Sequence, residues 1–323
     1  MFSNLVFLIK QTSTMFKNLN LEKRIITLIF LTLFICNNTF SQDTIPKSTN
    51  LIKVTEKTEL KIGGALRFNY NMSSWKPEQI KRGGDFGFDL FRINVKAQRK
   101  SVSLNAEYRL YSAGFGGGML KQGWMGYDFK NKKTFLQLGL TQVPFGNQQY
   151  NSNNWFFNLP YYLGLEDDHD MGLKIIHKTK NIDFHFAFFK NAEELVFGNS
   201  SSISHSRYSY DVSGRNKEVN QGNLKLDFKL GKNKSSKLSV FGEYGALYNV
   251  VTANMGDHYA FGIAFDGKWK NFKFKAQAIG FDNRPNDTIP DNGIIEMAAY
   301  GAPYNVAAKG QVYTAGIAYD INL

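Results

Sequence analysis

The stretch Thr134–Lys174, TFLQLGLTQVPFGNQQYNSNNWFFNLPYYLGLEDDHDMGLK, decides how the rest of the chain is read. It begins as a strand, with Leu136, Leu138 and Leu140 on one face and Gln137, Gly139 and Thr141 on the other. The strand breaks at Pro144 and gives way to a loop that carries Phe145, Trp155, Phe156, Phe157, Tyr161 and Tyr162. An acidic run follows, Glu166, Asp167, Asp168 and Asp170 around His169, and a second strand starts at Met171. That much aromatic surface is not left in water. The expectation is a loop folded into the mouth or lumen of a membrane β-barrel.

The same alternation extends in both directions. Leu60, Ile62, Leu66, Phe68 and Tyr70 oppose Lys61, Arg67 and Asn69; Val102, Leu104, Tyr108 and Leu110 oppose Ser103, Asn105, Glu107 and Arg109. Within Phe86–Arg99 the apolar phase slips near Leu90 and Phe91, which predicts a β-bulge. Further strands are read at 125–129, 173–177, 182–188, 224–230, 238–248, 259–269, 272–278 and 312–321. About twelve strands result, joined by short turns alternating with long polar connections, the longest at 191–217 and 282–310. No segment has a helical period. This is the pattern of an outer-membrane barrel: all-β and antiparallel, with one lipid face and one wet face. A soluble exported sandwich is the competing reading, but it does not require aromatic-ended strands of this length.

Composition agrees without deciding. Mean hydropathy is −0.33, so the chain holds no reservoir of long apolar runs for a helical membrane protein.

 No apolar run after Cys36 approaches the length of a membrane helix. The net charge is +12, and a basic balance suits nucleic acid, an anionic membrane surface or anionic solutes. Nucleic acid is set aside because the aromatics alternate onto the apolar face instead of lining a basic groove.

At the N-terminus, Lys17, Lys23 and Arg24 precede the apolar run Ile25–Cys36, and small residues follow. Residues 1–41 read as a signal peptide cut after Ser41, with Met15 the expected start and Met1 the alternative. Residues 42–57 read as a periplasmic lead-in and 58–323 as the barrel domain. Cys36, the only cysteine, lies in the signal segment, so the exported chain has no disulfide.

Two sets of residues carry the functional expectation. The wet faces offer Lys61, Arg67, Arg92, Lys96, Arg109, Lys225, Lys229, Lys268, Lys273 and Lys275 as a cationic lumen that attracts anions. Glu166, Asp167, Asp168 and Asp170 are read as a latch to basic wall residues, with a divalent cation held by oxygen ligands the alternative. Passive permeation requires no nucleophile and no cofactor. The five histidines form no catalytic set with a Ser motif, so the chain is read as a non-enzyme. A barrel hydrolase and a silent binding or structural barrel remain the other readings.

The segment LGLTQVPFG (Leu138–Gly146) resembles the Gly…Pro-Phe signature of the phosphate-selective porin O and P family, in its Bacteroidetes outer-membrane form. Asn154–Ile175 is similar to that family's constriction-loop return, with Asp170–Gly172 matching its Asp-x-Gly, and Phe88–Gln98 resembles an early strand. The resemblance implies a homotrimeric, water-filled outer-membrane porin of sixteen strands, in contact with membrane lipid and passing small hydrophilic or anionic solutes. It also implies that Pro144, Phe145, Trp155, Phe156, Tyr161 and Tyr162 belong to a constriction loop. Two departures stand out: Phe145–Leu165 contains no Lys or Arg, and only about twelve strands are readable, as in a chain cut short before its last hairpins.

Overall fold

The computed structural model describes residues 58–112, 117–147, 158–193, 207–287, 293–299 and 302–320. The signal segment and lead-in, and Trp155 and Phe156 of the loop, lie outside the described residues.

Twelve strands form one continuous antiparallel sheet. They are β1 (Thr58–Asn71), β2 (Asp85–Arg99), β3 (Val102–Tyr111), β4 (Gly118–Asp128), β5 (Thr134–Gln142), β6 (His169–Lys178) and β7 (Ile182–Asn191). After the two-residue β8 (Asp211–Val212) come β9 (Asn216–Leu230), β10 (Ser236–Asn249), β11 (Met255–Trp269) and β12 (Phe272–Arg284). The small strands β13 (Ile294–Ala299) and β14 (Ala302–Ala307) precede the last strand, β15 (Lys309–Tyr319). Every strand of the main sheet pairs with its sequence neighbour in that sheet, so the topology is a meander from β1 to β15.

The sheet has inverted polarity. Leu138, Phe186, Phe261 and Tyr313 are each more than half exposed on its outer face. Asn105, Gln137, Asn223 and Lys225 are buried on its inner face. In water this would leave a large apolar surface uncovered; in a bilayer it is the surface that lipid covers. Strands of 13–15 residues, as in β1, β2 and β9–β12, are long enough to cross the hydrocarbon layer when tilted.

The phase slip of the second strand has a simple cause. Register shifts between Arg67 and Phe68, and Asp89 is the extra residue that returns Phe88 to the outer face. Short connections at 100–101, 129–133, 179–181, 231–235 and 270–271 all fall at one end of the sheet. The long connections fall at the other, where β1 leads to β2 through the five-residue helix α1 (Pro77–Lys81).

The two longest polar connections differ from the sequence reading. They contribute β8, β13 and β14, which form a separate three-stranded sheet in the order β14-β13-β8. Met297, Ala298 and Val212 are buried there with Leu247, although no alternation in the sequence announces them.

The inverted polarity predicts an asymmetric response to charge. Phe186→Arg, in the middle of β7 on the lipid face, is expected to cost about 2–4 kcal/mol in lipid-vesicle urea unfolding. Gln98→Arg, on the opposite face, is expected to change the midpoint little; equal losses would contradict the assignment of faces.

Candidate functional site

The described parts of the loop between β5 and β6, residues 143–147 and 158–168, fold against the inner face of the sheet. Its neck is closed by a hydrogen bond from the Val143 N–H to the Asp168 carbonyl, 2.8 Å. Val143, Phe145 and Leu165 enter an apolar cluster with Ala187, Phe189, Phe241, Ala260, Ala264, Ile279, Phe281 and Val312. The Phe145 and Phe241 rings meet edge to face at 4.5 Å. Ala187, Ala260 and Ala264 are small side chains where the loop packs, so the wall has room to receive it. Gly164 turns the loop with φ +70°, and a Cβ there would lie 2.5 Å from the Tyr210 carbonyl oxygen.

Polar anchors fix the rest. Lys225, fully enclosed, donates to the Gly146 carbonyl at 2.6 Å, and Lys174 donates to the Gln142 carbonyl at 2.7 Å. The Gln277 amide accepts from the Asn147 N–H at 3.0 Å and donates to Glu166 at 3.1 Å. Asp167 receives three donors: Lys121 at 2.9 Å, the Gln142 amide at 2.9 Å and the Tyr208 hydroxyl at 2.5 Å. The Tyr208 ring also packs against two cations, with Lys121 Nζ 4.3 Å and the Arg109 guanidinium 4.7 Å from its centroid. Arg109 is in turn paired with Glu107 at 2.6 Å.

The short helix α2 (Leu159–Tyr162) places Tyr161 and Tyr162 in an aromatic group with Tyr208, Tyr210 and Tyr304. Tyr161 donates to the Tyr208 carbonyl at 3.0 Å, and Tyr304 donates to the Tyr162 carbonyl at 2.5 Å.

The residues expected to line an anion path divide by position. Arg109 and Lys225 are buried and engaged, so they brace the wall and the loop instead of facing water. Lys229 pairs with Asp183 at 2.6 Å, while Lys273 and Lys268 pair with Asp320 at 2.7 and 3.5 Å. Arg67 bonds Asp89, and Arg92 lies 3.9 Å from Glu107. Lys275 is partly buried near Glu166. Lys61 and Lys96 line a cavity of about 420 Å³ toward the short-turn end, together with Lys132, Lys133 and Lys178. Trp124 and Phe135 form part of its wall, and Glu59 and Asp128 are its acids.

Of the acidic run, only Asp167 forms an ion pair with a basic wall residue among the described residues. Glu166 is held by an amide, and burial pushes its carboxyl up to about 8. Asp168 and Asp170 form no ion pair among the described residues and instead face Asp211, which corrects the expectation that both pair with the basic wall. Lys121 was missed because a bulge between Glu107 and Tyr108 leaves it as the extra residue of β4 and turns it inward. Lys174 was legible in the alternation of β6, whereas Tyr208 and Asp211 sit in a connection without periodicity.

No family model matches the chain, and no curated protein does. Among solved structures, the outer membrane channel DcaP of Acinetobacter baumannii aligns with a TM-score of 0.51 at 10% identity, over 82% of this chain and 75% of that one. The chain has the fold of an outer-membrane channel. More distant matches include OmpT of Vibrio cholerae (TM-score 0.45, 10% identity, 83% and 84% of the two chains). Another is OccK2 of Pseudomonas aeruginosa in complex with glucuronate (0.35, 10%, 80% and 60%).

Two outcomes are expected of the loop anchors. Lys121→Met leaves Asp167 enclosed without its cation and is expected to cost about 3–5 kcal/mol, with faster proteolysis of the loop. Adding Asp167→Asn to it should recover part of that loss; strict additivity would show that the pair is not coupled. Glu166 binds its proton more tightly folded than unfolded, so its contribution is full below about pH 4.5 and lost as pH rises through about 8. Glu166→Gln should therefore flatten the decline in thermal midpoint across that window, and an unchanged slope would count against the enclosed carboxyl.

Proposed function

We propose that the chain is a porin of the Gram-negative outer membrane, passing small hydrophilic solutes by passive diffusion with a preference for anions. One observation carries this reading: a sheet that is apolar outside and polar inside holds an infolded loop beside a wet cavity lined by five lysines. Lysines in a low-dielectric wall concentrate anions by focusing their field. The loop itself has no Lys or Arg from Phe145 to Leu165, and the cations beneath it are engaged by its carbonyls and by Asp167. Anion preference then arises at the lysine-lined cavity, and general anion attraction is favoured over selection of phosphate.

Membership of the phosphate-selective porin O and P family rests on the resemblance of Leu138–Gly146 and Asn154–Ile175. A homotrimer is the assembly that this resemblance implies. An exported precursor follows from the signal segment at residues 1–41. Conduction by this route uses no catalytic residue.

Planar-bilayer recording tests the reading. Stable conductance steps are expected, with a reversal potential favouring anions in a salt gradient. Lys96→Glu combined with Lys178→Glu should move that potential toward cation preference. A folded, silent barrel would overturn the porin reading in favour of a binding or structural role, and unchanged selectivity would remove the cavity from the conduction path.

A further inference from the structure

At the long-loop end, three enclosed carboxylates converge from two separate loops. Asp168 closes the infolded loop, Asp170 follows in β6, and Asp211 begins β8. One oxygen from each lies within 4.8 Å of the other two, and all three residues are buried. Three negative charges so placed repel one another unless a cation or protons neutralise them. Arg207 pairs with Asp211 at 3.2 Å and Asp168 Oδ1 accepts from the His169 N–H at 2.7 Å, while Glu193, Glu218 and Glu243 add further carboxylates to the same region. Lys121, the nearest cation of the acidic run, is taken by Asp167.

One further observation points to a ligand: Asp170 is buried, yet its Oδ1 has no hydrogen-bond partner.

We infer that Asp168, Asp170 and Asp211 bind a divalent cation of the calcium class, which ties the infolded loop to the next long loop. Calcium accepts six to eight oxygen ligands in irregular geometry, whereas magnesium needs a near-ideal octahedron and keeps several waters, so an enclosed carboxylate group favours calcium. The cation joins the loop's return, through Asp168 and Asp170, to the next long connection, through Asp211, in addition to the Lys121–Asp167 pair.

The test uses the full chain in detergent, stripped with a chelator and titrated with calcium chloride in a calorimeter, and it does not depend on conductance. One calcium per chain is expected, with a higher thermal midpoint in calcium than in chelator. Asp170→Asn and Asp211→Asn should each weaken binding by about ten-fold or more, while Asp266→Asn, toward the short-turn end, should leave it unchanged. If either variant fails to fold, the calcium-dependent midpoint of the unaltered chain decides. Absence of both heat and a midpoint shift would overturn the proposal. So would binding that survives both substitutions, or Asn variants that gain stability equally with and without calcium, the signature of carboxyls that share protons.

Discussion

The Asp167 carboxylate, enclosed by Lys121, Gln142 and Tyr208, is the contact on which the interior depends. It joins the loop's return to β4, to the end of β5 and to the following long connection in a single group. A buried charge needs this many partners, because an unpaired carboxylate in such a place would be neutralised or expelled. Asp167 also sits at φ +55°, a left-handed conformation that Asp tolerates better than most residues and that lets the chain turn from the loop into β6. Loop position and carboxylate pairing are therefore one constraint.

That constraint replaces the core of a soluble domain. The outer face gives its apolar side chains to lipid, so the apolar interior is confined to small patches, where Val143, Phe145 and Leu165 meet β7, β10, β11, β12 and β15, where Val212 and Leu247 meet Ile295 and Met297, and where Met119 meets Tyr161 and Tyr208. The polar groups between them must be satisfied by partners or water. The lysines consequently do two kinds of work. Those under the loop, Lys121, Lys174 and Lys225, hold carbonyls and a carboxylate. Those near the short turns line a cavity of about 420 Å³.

The sequence made the strands legible because a lipid face and a wet face impose a period of two, and a slip in that period marks a bulge, as at Asp89. The loop's inward fold was legible from its aromatics for the same reason: Phe145 and Tyr161 need cover. What could not be read was pairing between distant segments. Nothing local connects Lys121 to Asp167 or Asp170 to Asp211, and the bulge that turns Lys121 inward shows only once β3 and β4 are in register. The strand β13 was hidden likewise, since it buries both faces in part and lacks alternation.

Separating anchoring cations from free ones changes how selectivity should be understood in this lumen. A lysine whose ammonium is enclosed and bonded to a carbonyl contributes little field to a passing solute, because its neighbours are arranged to stabilise it. Lys225 is in that position despite lying on the wet face. Lys96, Lys132, Lys133 and Lys178 face an open cavity of about 420 Å³, where few acids oppose them. On the proposed reading, the charge that a solute meets lies toward the short turns, which allows a loop without a single cation between Phe145 and Leu165 to coexist with an anion-attracting lumen.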